Sequence, residues 1–451
     1  MSVIMTGATH SAKNVIPRTI SEDPGRGRPM NNHYLREALG LALIGICFMC
    51  GTDQCRAGAL RTIYAFPSPA AGEGPVSNLV IENGIVYGNT ALGGVGCFGF
   101  ADGCGTLFQL DLATGAETVL HSFLFAPDGA YPETGPRYVD GVFYGATQQG
   151  GADDGGSVYS YNPATNTESV VVNFNGGNGM NPGLGSLAAH HGIVYGVTSQ
   201  GGTDNQGVIY KLDTATSKQT VLYNFIEGPS GYQPDAGILF HDGYLYGTTS
   251  AGGSQNESIC HYGCGELYKF NLATKTLTVL FGFTNDRSGG FPYQETLIYK
   301  DGALYGTTFS GGAINKPNCV HSTGCGVVYK YDLASDRLSV LHRFSGGLDG
   351  NLPAGRLAYV RGDLYGTTIE GGIEDHGTVY KVDATTGAET ILHRFSPTGA
   401  KDGTQPGGGL TYYHGRLYGT TSAGGVLGGD CGTYGCGTIF EVKPYTNRPK
   451  D

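Results

Sequence analysis

The chain has 451 residues and a formal charge of −11, with 78 glycines, 29 tyrosines, 19 phenylalanines and no tryptophan. That composition describes short aromatic-rich strands joined by tight turns, an all-β chain rather than a helical one. The acidic balance excludes nucleic acid, whose phosphate backbone needs a basic surface to release counterions, and it disfavours anionic lipid.

In chain order, the first 59 residues differ in kind from the rest. Residues 38–50, ALGLALIGICFMC, form an apolar run of 13 residues preceded by Arg36. It is too short to span a bilayer and the right size for the core of a secretory signal. Ala57-Gly58-Ala59 supplies a small-residue cleavage site, and Met30 is a sensible start. Residues 1–59 therefore read as a removed signal peptide with an upstream extension. The alternative is an anchor that stays attached. A lipoprotein reading fits worse, because bulky Ile46 and Met49 precede Cys47 and Cys50.

Residues 60–444 are repetitive. A Tyr-Gly pair recurs at Tyr87, Tyr144, Tyr195, Tyr246, Tyr305, Tyr365 and Tyr418, with spacings of 57, 51, 51, 59, 60 and 53. Every copy has Thr three residues on and a Gly-Gly doublet six and seven residues on. Each unit reads as four strands. The first follows a proline and carries an apolar residue such as Leu79, Ile238 or Leu357. The second is entered through a two-residue turn such as Asn83-Gly84 or Asp242-Gly243, a strong hairpin signal. The third opens with Gly and carries an aromatic residue three positions later; the fourth closes on Phe, 18 residues after that Gly in six units. In the seventh unit the chain ends before a fourth strand, leaving the polar tail 445–451. Residues 60–66, LRTIYAF, match strand four and precede the first complete unit. A ring would let this N-terminal strand complete the last unit and remove both open edges, so a closed seven-bladed β-propeller is expected.

The period and the doublet resemble kelch-type propellers. A closer resemblance is to the GloVer tandem repeat: residues 364–390, LYGTTIEGGIEDHGTVYKVDATTGAET, follow its pattern almost letter for letter. The resemblance covers residues 60–443. It implies the fold and brings no activity, cofactor or catalytic residue. Members often carry a C-terminal surface anchor, which the tail NRPKD does not resemble.

Loop lengths are uneven. From the doublet's second Gly to the Gly of strand three the spacing is 5 in units two, three and six, but 11, 12, 14 and 12 in units one, four, five and seven. Those four inserts hold Cys97 and Cys104, Cys260 and Cys264, Cys319 and Cys325, and Cys431 and Cys436. After a secretory signal, one local pair per insert reads as four disulfides in an oxidising compartment, secreted, periplasmic or at the cell envelope. A zinc site would use His261 and His321 beside these cysteines, but no pair has the C-x2-C spacing. A redox dithiol lacks a nearby base.

The inserts fall in two walls, units seven and one opposite units four and five, and so enclose a groove. An extended ligand, a polysaccharide strand or a peptide, suits that shape. Phe98, Phe100, Tyr262 and Tyr434 could stack on sugar faces, or could fill the loops' own small cores. The opposite face has short fixed turns that offer a ligand little.

No H-E-x-x-H, G-x-S-x-G or P-loop motif occurs. Near the ring axis most positions are small, and Glu133, Asp235, Glu295 and Arg356 stand out as binding or catalytic candidates. A carboxyl pair drawn from them could serve glycoside chemistry; alternatively Arg356 neutralises one and the rest are solvated. The aspartates at Asp128, Asp349 and Asp402 read as turn residues rather than calcium ligands, since Gly stands third before the proline in all seven units. A monomeric binding protein is expected, with no cofactor, no metal, and no membrane insertion once the signal is removed; an extracellular polysaccharide hydrolase or lyase is the alternative.

Overall fold

The computed structural model describes residues 60–97, 102–228, 231–253, 260, 262–293, 296–313, 318–319, 323–396 and 401–444. Phe98, Phe100, His261, Glu295 and His321 lie outside them, as do residues 1–59 with Cys47, Cys50 and Cys55. Among the described residues there is no α-helix, and the strands form seven antiparallel sheets.

Each sheet is a blade of consecutive strands. Blade four runs Leu239–His241, Tyr244–Thr249, Glu266–Asn271 and Thr276–Gly282 from axis to rim. Blade seven combines Thr411–Tyr413, Arg416–Thr421 and Thr438–Val442 with Arg61–Ala65 from the other end of the chain. Arg61 pairs with Glu441 and Ala65 with Thr438, and Glu441 accepts hydrogen bonds at 2.8 Å from both Arg61 and Arg416. The sequence reading of 60–66 as the closing strand is thus realised as a closed ring.

The repeated residues have assigned physical work. In all seven blades the Gly of the Tyr-Gly pair lies directly across from the strand-three aromatic: Gly88 from Phe108, Gly145 from Tyr159, Gly196 from Tyr210, Gly247 from Tyr268, Gly306 from Tyr329, Gly366 from Tyr380 and Gly419 from Phe440. The ring lies over the glycine, so that a Cβ on Gly196 would sit 2.3 Å from the Tyr210 hydroxyl oxygen. Here glycine is needed for space. The same aromatic meets the closing Phe of the preceding blade, with ring centroids 5.0–5.5 Å apart at every junction. Phe66 against Phe108 is the junction that seals blade seven to blade one.

The repeated Thr secures the loop between strands two and three. Thr198 donates to the carbonyl of Gln200 and accepts from the amide of Val208, and equivalent bonds recur around the ring. The Gly third before each proline adopts a positive φ, from 74° upward across the set Gly72, Gly129, Gly179, Gly231, Gly289, Gly350 and Gly403, as the turn reading requires. Strands two and three are buried on both faces because each blade packs against a neighbour on either side, whereas strand four stays half-buried.

Two outcomes follow. Deleting residues 60–66 removes a strand and Phe66 together, and it should lower the thermal midpoint far more than deleting residues 445–451, as read by circular dichroism. Gly196→Ala should cost about 1–3 kcal/mol through overpacking. Tyr210→Phe alone should cost nothing, since the buried Tyr210 hydroxyl has no hydrogen-bond partner, and it should partly rescue Gly196→Ala in urea denaturation.

Candidate functional site

The first strand of each blade enters from the face that carries the inserts and leaves at the short-turn face. Among the described residues, those eleven, nine and seven before each repeated Tyr share one side of it and line the axis. At the middle level side chains bridge the ring. Asn78 donates to the Ser186 hydroxyl at 2.9 Å, Gly409 N donates to Asn78 Oδ1 at 2.9 Å, and Ser186 N donates to the Thr296 hydroxyl at 2.8 Å. Blades seven, one, three and five are tied there. The glycines of the intervening blades make it possible, since a Cβ on Gly135 would lie 2.6 Å from the Asn78 carbonyl oxygen and one on Gly237 2.1 Å from Thr296 Oγ1.

Above this waist, toward the insert face, lies a cavity of about 190 Å³ lined by Val76, Asn78, Glu133, Leu184 and Gly407 among others. Burial pushes the Glu133 carboxyl up to about 7. Asp235 occupies the equivalent position two blades on. Burial raises it to about 6, against the opposing effect of hydrogen bonds from Ser250 and Ser199. Tyr293 is pushed up by burial and by the charges of both carboxyls, which puts all three groups in one neighbourhood. A carboxyl that is partly protonated at physiological pH is what this environment offers chemically.

The structure separates Arg356 from these acids. Arg356 lines a different pocket, at the short-turn face, and among the described residues no carboxylate pairs with it. It therefore does not neutralise Glu133 or Asp235. Glu295 lies outside the described residues.

On the insert face the four expected disulfides are present: Cys97–Cys104, Cys260–Cys264, Cys319–Cys325 and Cys431–Cys436. Tyr262 is 62% exposed and Tyr434 82%, so these two rings do not fill cores of their own loops. They have company. Of the twelve large apolar residues exposed among the described ones, nine lie in loops of this face: Val95, Leu124, Ile226, Tyr262, Leu348, Ile373, Val426, Leu427 and Tyr434.

A sequence model of the Gloeobacter/Verrucomicrobia repeat matches residues 137–317 and 259–450, well over half of the chain. The chain belongs to the Gloeobacter/Verrucomicrobia repeat family. No curated protein sequence shows a significant match. Among solved structures, an oligogalacturonate lyase in complex with manganese is similar at a TM-score of 0.50 and 11% identity, over 86% of this chain and 93% of that one. TolB from Acinetobacter baumannii is similar at a TM-score of 0.38 and 16% identity, over 63% of this chain and 58% of TolB, so the match spans less than two thirds of that protein. At such identities the likeness is one of fold alone.

Within this repeat-family propeller, two rim clusters went unnoticed in the sequence. His121, Asp128 and Glu168 bring their ligand atoms within 4.8 Å of one another, and so do His342, Asp349 and Glu389. A histidine and two carboxylates suit a divalent cation chemically. Each set also spans a blade junction, with His121 Nε2 hydrogen-bonded to Asp128 Oδ2 at 2.7 Å while Asp128 Oδ1 accepts from Leu124 N at 3.0 Å. A third pair, His393 with Asp402 at 2.7 Å, has no such acid beside it, because Leu60 stands where the others have Glu. The signal was readable: His recurs two residues before the closing Phe. Arg137 was also missed, although its six counterparts, from Val80 to Thr411, are uncharged.

The raised pKa values of these carboxyls set a pH dependence. A carboxyl whose folded value lies above its unfolded one stabilises fully below the unfolded value and loses that contribution as pH rises through the folded value. For Glu133 that window runs from about 4.5 to about 7. Glu133→Gln should therefore melt with wild type at pH 4 and above it at pH 8, in thermal melts across that range.

Proposed function

We propose that this is a secreted binding propeller whose insert face docks an extended ligand, a polysaccharide strand or a peptide. The observation that carries the reading is the concentration of exposed apolar side chains on one face, nine of the twelve, five of them (Val95, Tyr262, Val426, Leu427 and Tyr434) in inserts the scaffold does not require. Monomeric proteins rarely leave apolar surface clustered without a use for it. The short loops of blades two, three and six build the same four-stranded sheet without an insert, so the extra residues serve something other than the fold. Disulfides restrict the unfolded inserts and so reduce the entropy of ordering them. In this reading residues 1–59 are a signal peptide cleaved after Ala57-Gly58-Ala59, and the mature protein works outside the cytoplasm. The disulfides accord with that, and among the described residues no helix is long and apolar enough to cross a membrane.

A second reading, an extracellular polysaccharide hydrolase or lyase, draws on Glu133. A carboxyl held near neutrality over an open cavity is suited to acid or base work. It would have Glu133 and Asp235 as the acting groups.

One experiment separates them. The purified chain is screened on a glycan array and a polysaccharide panel with product analysis, beside a variant whose inserts in blades four and five are replaced by the GGTDNQG loop of blade three. Under the binding reading the variant folds and loses its ligand, with no products from either protein. Products from the intact chain that vanish in Glu133→Gln would establish the enzyme instead.

A further inference from the structure

The short-turn face was expected to offer little, yet it holds the larger pocket, of about 780 Å³, between the inner strands of blades five, six and seven. Its lining includes Arg356, Lys300 and Arg361 and no acidic residue, in a chain whose net charge is −11. Tyr299, Tyr359 and the exposed Tyr412 line the same pocket. Lys300 Nζ lies 5.9 Å from the centre of the Tyr359 ring and 3.2 Å from Asp301, an exposed pair that water screens.

Arg356 differs from that surface lysine. Its Nε is buried without a hydrogen-bond acceptor, the side chain as a whole is half-buried, and among the described residues no ion pair reaches its guanidinium. Arg137, from the first strand of blade two, is in the same condition, and the two guanidiniums are close enough for each to feel the other's charge. A half-buried cation without a counter-charge is costly, and a second cation beside it adds repulsion. Arginine does not escape the cost by losing its proton. Nothing in the fold requires it, because the other six blades place Asn78, Gly135, Ser186, Gly237, Thr296 and Gly409 at the position of Arg356.

We propose that this pocket binds an acidic sugar, with the oxyanion group, a carboxylate, sulfate or phosphate, on Arg356 and the sugar ring against the tyrosines. Guanidinium gives an oxyanion two parallel hydrogen bonds, and tyrosine faces suit the C–H surface of a sugar. The site is on the face opposite the inserts and is independent of what they bind.

The test titrates the full exported chain with glucuronate, glucose 6-sulfate, glucose 6-phosphate, glucose and inorganic sulfate, by calorimetry and by thermal shift. At least one charged sugar should bind and raise the melting temperature, and which one does identifies the oxyanion. Glucose should not bind, and inorganic sulfate should bind at least tenfold more weakly than the preferred sugar. Arg356→Met should lower the affinity at least 20-fold, Arg137→Met should lower it less, and Lys218→Ala, an exposed lysine on another blade, should leave it unchanged. Both arginine variants should melt at or above the wild-type temperature, since each relieves an uncompensated charge. Absence of binding by every charged sugar, or binding that survives Arg356→Met, would overturn the proposal. Melting of Arg356→Met well below wild type would assign the arginine to the fold instead, and sulfate binding as tightly as glucose 6-sulfate would leave the tyrosines without a role.

Discussion

Everything in this propeller hangs on one three-residue contact repeated seven times: a glycine in strand two, an aromatic ring across from it in strand three, and the closing phenylalanine of the preceding blade against that ring. The glycine opens the sheet surface so that the ring can lie flat on its own blade, and the flat ring then presents its edge to the neighbour. Blade spacing is set by that edge contact. With 5.0–5.5 Å between ring centroids at all seven junctions, the blades take equal shares of the circle and the ring closes without a gap. The threonine and the positive-φ glycine before the proline then hold the connecting loops, so variation is confined to segments outside this frame.

This explains which parts were legible in the sequence. Blade number, strand order and the closing strand at 60–66 were readable because each depends on residues that repeat in register, and repetition marks a physical need. The cysteine pairs were readable because each closes on itself within one insert. What escaped depends on relations between blades. Arg356 and Glu133 belong to different first strands, and the waist built by Asn78, Ser186 and Thr296 places them in separate cavities. No spacing within one repeat reveals that. The His-Asp-Glu clusters likewise draw their glutamate from the next blade.

The two faces divide the labour of the fold in opposite ways. On the insert face, length varies and apolar side chains reach into solvent. On the turn face, length is constant, and individuality is carried by single substitutions at otherwise uncharged axial positions, Arg356 among Asn, Gly, Ser and Thr, and Arg137 among Val, Ala, Leu, Ile and Thr. A repeat architecture permits both, since one blade can change its axial residue or its loop without disturbing the ring-edge contacts of the others.

The blade built from both ends of the chain has a temporal meaning as well. Arg61 and its partner Glu441 are 380 residues apart, so the seam forms only after every other blade has been synthesised. Until then six blades stand as an open arc with an uncovered apolar blade face at each end, which is the state most exposed to sticking and to proteolysis. The finished ring covers both faces. Resistance to proteolysis therefore reports closure of the ring: a product cut short anywhere before residue 438 has no strand for Arg61–Ala65 to join.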